Sequence, residues 1–263
     1  MQTTSETYKA LFSRLQSGDP AVFYENRVSI GDIGRLITRG GEGITFGGLH
    51  ILVAASGADS GFGEETIIQA KTMSRVFSEN TPSVGACVSS EISLKIIKPT
   101  GDIPRKARIV PYVRLTDGIL HSEWIQKGVY FIDTRTTTPS ASFTTMTISG
   151  YDAMLKAEAD YPPSQMSWPA KDIDVVQEIA AAMGVAVDSR TVAAMNMGYR
   201  INYPAEYSQR EVLGYLASMY AGCFIMSDLG ELLLVQLGKF PAETSYLADK
   251  QNVITFGGVR IRV

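Results

Sequence analysis

Residues 109–161 read IVPYVRLTDGILHSEWIQKGVYFIDTRTTTPSASFTTMTISGYDAMLKAEADY: three apolar-rich runs joined by turn signals and closing on Gly-Tyr-Asp-Ala-Met-Leu. Ile109–Leu115 is dense in β-branched and aromatic residues, which pack well on a pleated surface. Thr116-Asp117-Gly118 follows, and an Asp-Gly pair between two such runs signals a hairpin. Trp124–Asp133 is a second strand with a candidate break at Lys127-Gly128, where glycine suggests a bend or bulge. Pro139-Ser140 lies in a polar loop. Thr144–Ser149 alternates, with Met146 and Ile148 on one face. The stretch is a β-meander that delivers the chain into a short helix at Asp152–Ala159.

Working outward toward the N-terminus, Ser83–Lys98 contains a strand with Ile92, Leu94 and Ile96 on one face and Glu91, Ser93 and Lys95 on the other. Thr66–Val76 is a further strand and Phe77–Pro82 a turn. Ser56–Glu65 gathers glycines with Asp59, Glu64 and Glu65. It lacks the Asp-x-Asp-x-Asp-Gly spacing of a calcium loop and reads as a solvated loop. Ile44–Val53 is a strand containing His50. Gly31–Gly48 is glycine-dense without the Gly-x-x-x-x-Gly-Lys-Ser/Thr order of a phosphate cradle, so turns in a β-domain are the better reading. Val22–Ile30 is a strand. Thr4–Ser17 is an amphipathic helix, with Tyr8, Leu11, Phe12 and Leu15 at helical spacing, closed by Ser-Gly-Asp-Pro.

Beyond Tyr161 the pattern changes. Pro162-Pro163 and Trp168-Pro169 bracket a polar link that marks a boundary. Asp172–Met183 is a helix with Asp172 as candidate cap, a stripe of Ile173, Val176, Ile179 and Met183, and Gly184 at its end. Ser208–Tyr220 is a helix whose Ser208 and Glu211 fit a capping box, with Val212, Leu213, Leu216, Met219 and Tyr220 as its buried face and Gly222 as its stop. Cys223–Met226 and Glu231–Leu237 flank Ser-Asp-Leu-Gly as a hairpin. Val253–Val263 is strand-like and breaks off mid-pattern, which suggests that further sequence follows.

The expected fold class is mixed β and α+β. Residues 1–161 form a β-barrel-like tube domain with an N-terminal helix, 162–250 a smaller helix-helix-hairpin domain, and 251–263 the start of a return strand to a second barrel half.

Composition sets limits. The chain has 263 residues, 45% hydrophobic and 19% charged, with net charge −3. That is ordinary globular usage, and it lacks the clustered Lys and Arg of a nucleic-acid groove. Two cysteines, Cys87 and Cys223, sit in apolar surroundings and read as buried free thiols. No apolar leader follows Met1, and no run approaches the ~20 apolar residues that span a bilayer. The chain is therefore expected to be made in the cytoplasm without general secretory export or membrane insertion.

No reaction is written in the residues. The two histidines, His50 and His121, stand in no metal-ligand spacing. No Gly-x-Ser-x-Gly elbow occurs. The pairs Glu64/Glu65 and Asp172/Asp174 are explained by solvation and helix-dipole compensation. Trp124, Tyr130, Phe131, Tyr151, Trp168, Tyr199, Tyr203, Tyr207, Tyr215 and Tyr220 read mostly as core or interface anchors. We expect no catalytic, cofactor-binding or metal-binding residues, no cofactor, and no enzyme activity in this chain.

Motif order carries a family resemblance. The strand Trp124…Gly128-Val129-Tyr130-Phe131-Ile132-Asp133 and the strand end Thr147-Ile148-Ser149-Gly150-Tyr151-Asp152-Ala153-Met154 resemble the baseplate hub, or tail-tip, proteins of bacteriophages and prophages. So does the Phe77-Ser78…Ser83-Val84-Gly85 segment with its following alternating strand. Val175-Val176-Gln177-Glu178-Ile179-Ala180, Tyr207-Ser208-Gln209-Arg210-Glu211-Val212-Leu213 and Gly222-Cys223-Phe224-Ile225 are similar to the inserted second domain of that family. The match runs over roughly residues 70–240.

The resemblance implies a virion structural protein, assembled in the bacterial host cytoplasm, that forms a homotrimeric hub ring below the tail tube. Its partners would be tail tube and distal tail proteins, the tape measure protein, and spike or receptor-binding proteins, with DNA only in passage. Two other readings stand beside it: a host-surface or carbohydrate-binding tail module, and the non-catalytic N-terminal part of a tail-associated cell-wall hydrolase.

Overall fold

A computed structural model describes residues 4–31, 44–46, 49–51, 66–77, 83–99, 103–141, 143–237, 253–256 and 259–262. Helix α1 (Glu6–Gln16) starts where Ser5 Oγ accepts the Tyr8 amide, 3.1 Å away. Its one fully buried side chain, Leu11, meets Val22 and Leu115, with Tyr8 and Leu15 packed alongside. Strand β1 (Phe23–Ile30) follows. The single strand expected over Ile44–Val53 is instead an antiparallel pair, β2 (Ile44–Phe46) and β3 (Leu49–Ile51). Of the glycines in the 31–48 stretch only Gly31 is described; Gly34, Gly40, Gly41, Gly43, Gly47 and Gly48, with Asp59, Glu64 and Glu65, lie outside the described residues.

Next come β4 (Ile67–Met73), β5 (Glu91–Ile97), β6 (Arg108–Thr116), β7 (Ile125–Gln126), β8 (Tyr130–Thr138) and β9 (Thr145–Asp152). They join β1 in one antiparallel seven-stranded sheet of order β1-β6-β8-β9-β5-β4, with β7 paired to β6. The period-2 reading holds. Ile92, Leu94 and Ile96 of β5 and Met146 and Ile148 of β9 are buried together with Val28, Ile109, Tyr130 and Ile132. Ser93 and Lys95 face solvent. The mixed β and α+β class is thus observed, and the described strands form an open sheet that does not close into a barrel.

The break foreseen at Lys127-Gly128 has a cause on the facing strand. β6 pairs with β8 through Arg108 and Ile109 and with β7 through Tyr112 and Val113. Between these pairs stands Pro111, which has no amide to give a ladder. The partner chain steps aside there, keeping only the bond from the Lys127 amide to the Pro111 carbonyl at 2.8 Å.

After β9 a 310 turn (Ala153–Glu158) begins at Asp152, whose side chain caps the Met154 amide. It is the short helix expected over Asp152–Ala159, wound as a 310 helix. A second core then assembles from β10 (Ala170–Lys171), α2 (Asp172–Met183), α3 (Ser189–Ala194), β11 (Arg200–Ile201), α4 (Gln209–Met219), β12 (Gly222–Met226) and β13 (Leu232–Gln236). The last strands, β14 (Val253–Phe256) and β15 (Val259–Arg262), pair antiparallel, so the single terminal strand expected over 253–263 is also an antiparallel pair.

Helix α4 carries the full capping box of Ser208 and Glu211. Three local expectations change. Asp172 is the first helical residue and not the cap; that position belongs to Lys171, whose side chain makes no capping bond. Met219 is exposed, while Val212, Leu213, Leu216 and Tyr220 are buried as expected. Tyr220 caps α4 and Ala221 takes the positive φ of 48°, leaving Gly222 free to open β12.

β12 and β13 do not stand alone. Segment 85–87 runs beside β12, with the Gly85 amide donating to the Gly222 carbonyl at 2.8 Å and the Phe224 amide to Ala86 at 3.0 Å. Val187 runs parallel to β13 at Leu232. Both sides of the hairpin are therefore flanked. The same core takes Cys87, Ala153, Met154, Ala157 and Tyr161 from residues before the Pro162-Pro163 link.

Candidate functional site

The sheet ends in β1 and β4, and no described strand pairs beyond either. Gly31 N–H donates to the Arg108 carbonyl at 2.6 Å. Antiparallel alternation therefore turns the odd-numbered amides of β1 toward β6 and the even-numbered ones, Asn26 and Val28 among them, outward. β4 is exposed along most of its length. A strand edge that no further strand covers offers rows of donors and acceptors to another strand.

One end of the β1 edge is shaped by charge. Arg14 on α1 reaches Asp19 at 2.9 Å and Asp117 at 2.6 Å. Asp117 also accepts the Leu120 and Ile119 amides at 2.8 and 3.1 Å. These amide bonds first, and the Arg14 guanidinium beside them, hold its carboxyl down to about 2. They fix the Asp-Gly turn, whose Ile119 projects 86% exposed, with Leu120 and Phe23 exposed nearby in sequence pairing. Glu123 accepts from both the amide and the hydroxyl of Ser5, tying the start of α1 to the sheet. Trp124 lies under two guanidinium groups, Arg114 at 4.4 Å and Arg27 at 4.8 Å from its ring centre.

The residues singled out for chemistry are scattered. His121 lies on the hairpin arm with Nδ1 3.9 Å from Glu25, which is itself paired with Arg114 at 2.7 Å. Asp172 is fully buried and receives the Tyr220 hydroxyl and the Ile173 amide. It therefore anchors α2 to the end of α4, and Asp174 is not brought into a site with it. Both cysteines are free and buried, as expected. Burial pushes the Cys87 thiol up to about 12 and also raises Cys223, the reverse of what a nucleophilic thiolate needs. Among the described residues no group of three or more His, Cys, Asp or Glu could hold a metal ion, and no helix is long and apolar enough to cross a membrane.

Aromatic residues from Tyr161 onward pack on one another in small groups. Tyr161, Trp168 and Tyr203 form a triad with ring centres 5.2–6.2 Å apart. Tyr199 meets Tyr220, and Tyr207 meets Tyr215. Of these, Tyr161 and Tyr220 are buried core residues, while Tyr199, Tyr203, Tyr207 and Tyr215 are exposed.

Two polar groups matter that sequence reasoning passed over. Asp152 accepts the Ser90 amide at 2.8 Å and the Met154 amide at 2.9 Å, and its own amide returns a bond to the Ser90 carbonyl at 3.0 Å. Burial raises its carboxyl. Arg210, on α4, bonds the Met154 carbonyl at 3.1 Å and pairs with Glu158 at 2.7 Å. Together they clamp the exit of β9 to the second core. An Asp just ahead of Ala-Met was the available sign of the first, since such residues cap the turn that follows. Nothing local marks Arg210 as its partner.

No family model matches the chain, and no curated protein does. It is similar to a 43 kDa prophage tail protein from Shewanella oneidensis, at 13% identity and TM-score 0.47, covering 84% of this chain and 55% of that one. A tail protein from Neisseria meningitidis is similar at 12% identity and TM-score 0.46, with 88% and 57% covered. The PdpA–VgrG complex of Francisella contains a chain similar at 8% identity and TM-score 0.43, with 89% and 38% covered. The chain thus spans little more than half the length of the two tail proteins.

Proposed function

We propose that this chain is a structural component of a phage or prophage tail, and within the tail a baseplate hub subunit that closes a ring below the tail tube. The observation that carries this reading is the pairing state of the large sheet. It has a buried face, yet it ends in β1 and β4 without a further described strand. Copies placed edge to edge would satisfy those backbone groups, and ring closure removes edges altogether. The ordered hub-like motifs between residues 70 and 240 supply the family.

On this reading residues 1–161 build the wall and 162–250 form an appended unit, with the chain contributing geometry and no chemistry. The working assembly is a homotrimer in the virion, assembled in the host cytoplasm, in contact with tail tube, tape measure and spike proteins. Net charge −3 suits a conduit that DNA passes without being held. Light scattering on the purified chain, followed by negative-stain imaging, tests the proposal. Trimeric rings with a polar or acidic lumen are expected. A strict monomer at every concentration tested, or a lumen lined with Lys and Arg, would contradict it.

A further inference from the structure

We draw no further inference here: the strongest candidate, the cleft of about 530 Å³ between the 227–231 turn, Ser74 and the start of α3, carries none, because its Asp188–Arg190 pair is satisfied internally and its remaining carboxylates, Asp228 and Glu231, form an acidic cluster with no second observation to name a ligand.

Discussion

The two cores of this chain treat their strands differently. In the second core the β12–β13 hairpin is flanked on both sides, by residues 85–87 and by Val187, and helices α2 and α4 supply its apolar cover. In the first core the sheet has more strands, yet no described strand extends it past β1 or β4. One region completes itself with material from elsewhere in the chain. In the other, no described strand pairs beyond the outermost two. Open strand edges are where partners add, so under the proposed function the sheet, and not the helical unit, is where copies would join.

The severest test asks whether the regions are energetically distinct. Phe224 is fully buried in the second core. Phe224→Ala should cost about 3–5 kcal/mol through lost burial and the cavity left behind. The chain has two tryptophans, Trp124 on the sheet side and Trp168 in the second core. Urea unfolding followed in Trp124→Phe and Trp168→Phe backgrounds separates their signals. The expected outcome is a larger midpoint shift at Trp168 than at Trp124. Equal shifts would mean that the Asp152–Ser90 clamp fuses both cores into one cooperative unit, and the comparison would lose its basis.

A smaller effect is expected where the sheet's approach segment meets α4. Gly85 has φ +80°, and a Cβ there would lie 2.9 Å from the Gly214 carbonyl oxygen and 2.3 Å from Ser218 Oγ. Gly85→Ala should cost roughly 1–3 kcal/mol, from the left-handed backbone and the clash together. Adding Ser218→Ala removes only the side-chain obstacle, so chemical denaturation should show little recovery. Full recovery would place the constraint in the serine and not in the backbone contact.

How far these contrasts could be read from sequence follows from the range of each signal. Period-2 alternation in β5 and β9, the Asp-Gly turn and the Ser208–Glu211 box are local devices, and all appear where the residues put them. The failures are cases where a distant residue decides. Ala221 ends α4 in a positive-φ conformation ahead of the glycine that looked like the stop, because Gly222 is needed close to the Val235 carbonyl in the hairpin. Asp172 was read as a cap from its position, but its carboxylate is held by Tyr220, 48 residues on. Helix α3 went unseen because its six residues are too few to show a stripe, although Asp188 does cap it. The proposed joining edge was legible only as open-edged strands; the sequence did not specify which strands would lie outermost.

The outward amides of β1 allow the edge to be tested without touching the core. Asn26→Pro removes an N–H that points away from β6, so the fold should lose less than about 1 kcal/mol. Ser29→Pro removes an inward one, opposite Val110, and should lower the melting temperature clearly. If the edge is where copies join, Asn26→Pro should abolish oligomers while leaving the circular dichroism spectrum unchanged. Oligomers that survive Asn26→Pro would move the contact to β4 or off the sheet.

The smallest effect concerns pH, and the two regions should differ in sign. Asp117, at the sheet's hairpin turn, has its carboxyl held down to about 2 by the Leu120 amide, the Arg14 guanidinium and the Ile119 amide. A depressed carboxylate adds stability that is complete above the ordinary Asp value of about 4 and fades as pH falls toward 2. Asp152, at the clamp, is raised by burial. Its charged form is disfavoured in the fold, so its contribution weakens as pH rises above the same ordinary value. Carbon-detected NMR titration of the two carboxyls should place Asp117 below that value and Asp152 above it, and Asp117→Asn should remove the acid-side loosening of the α1–hairpin contact. If both groups titrated together near pH 4, neither the turn nor the clamp would be holding its carboxylate as the geometry requires.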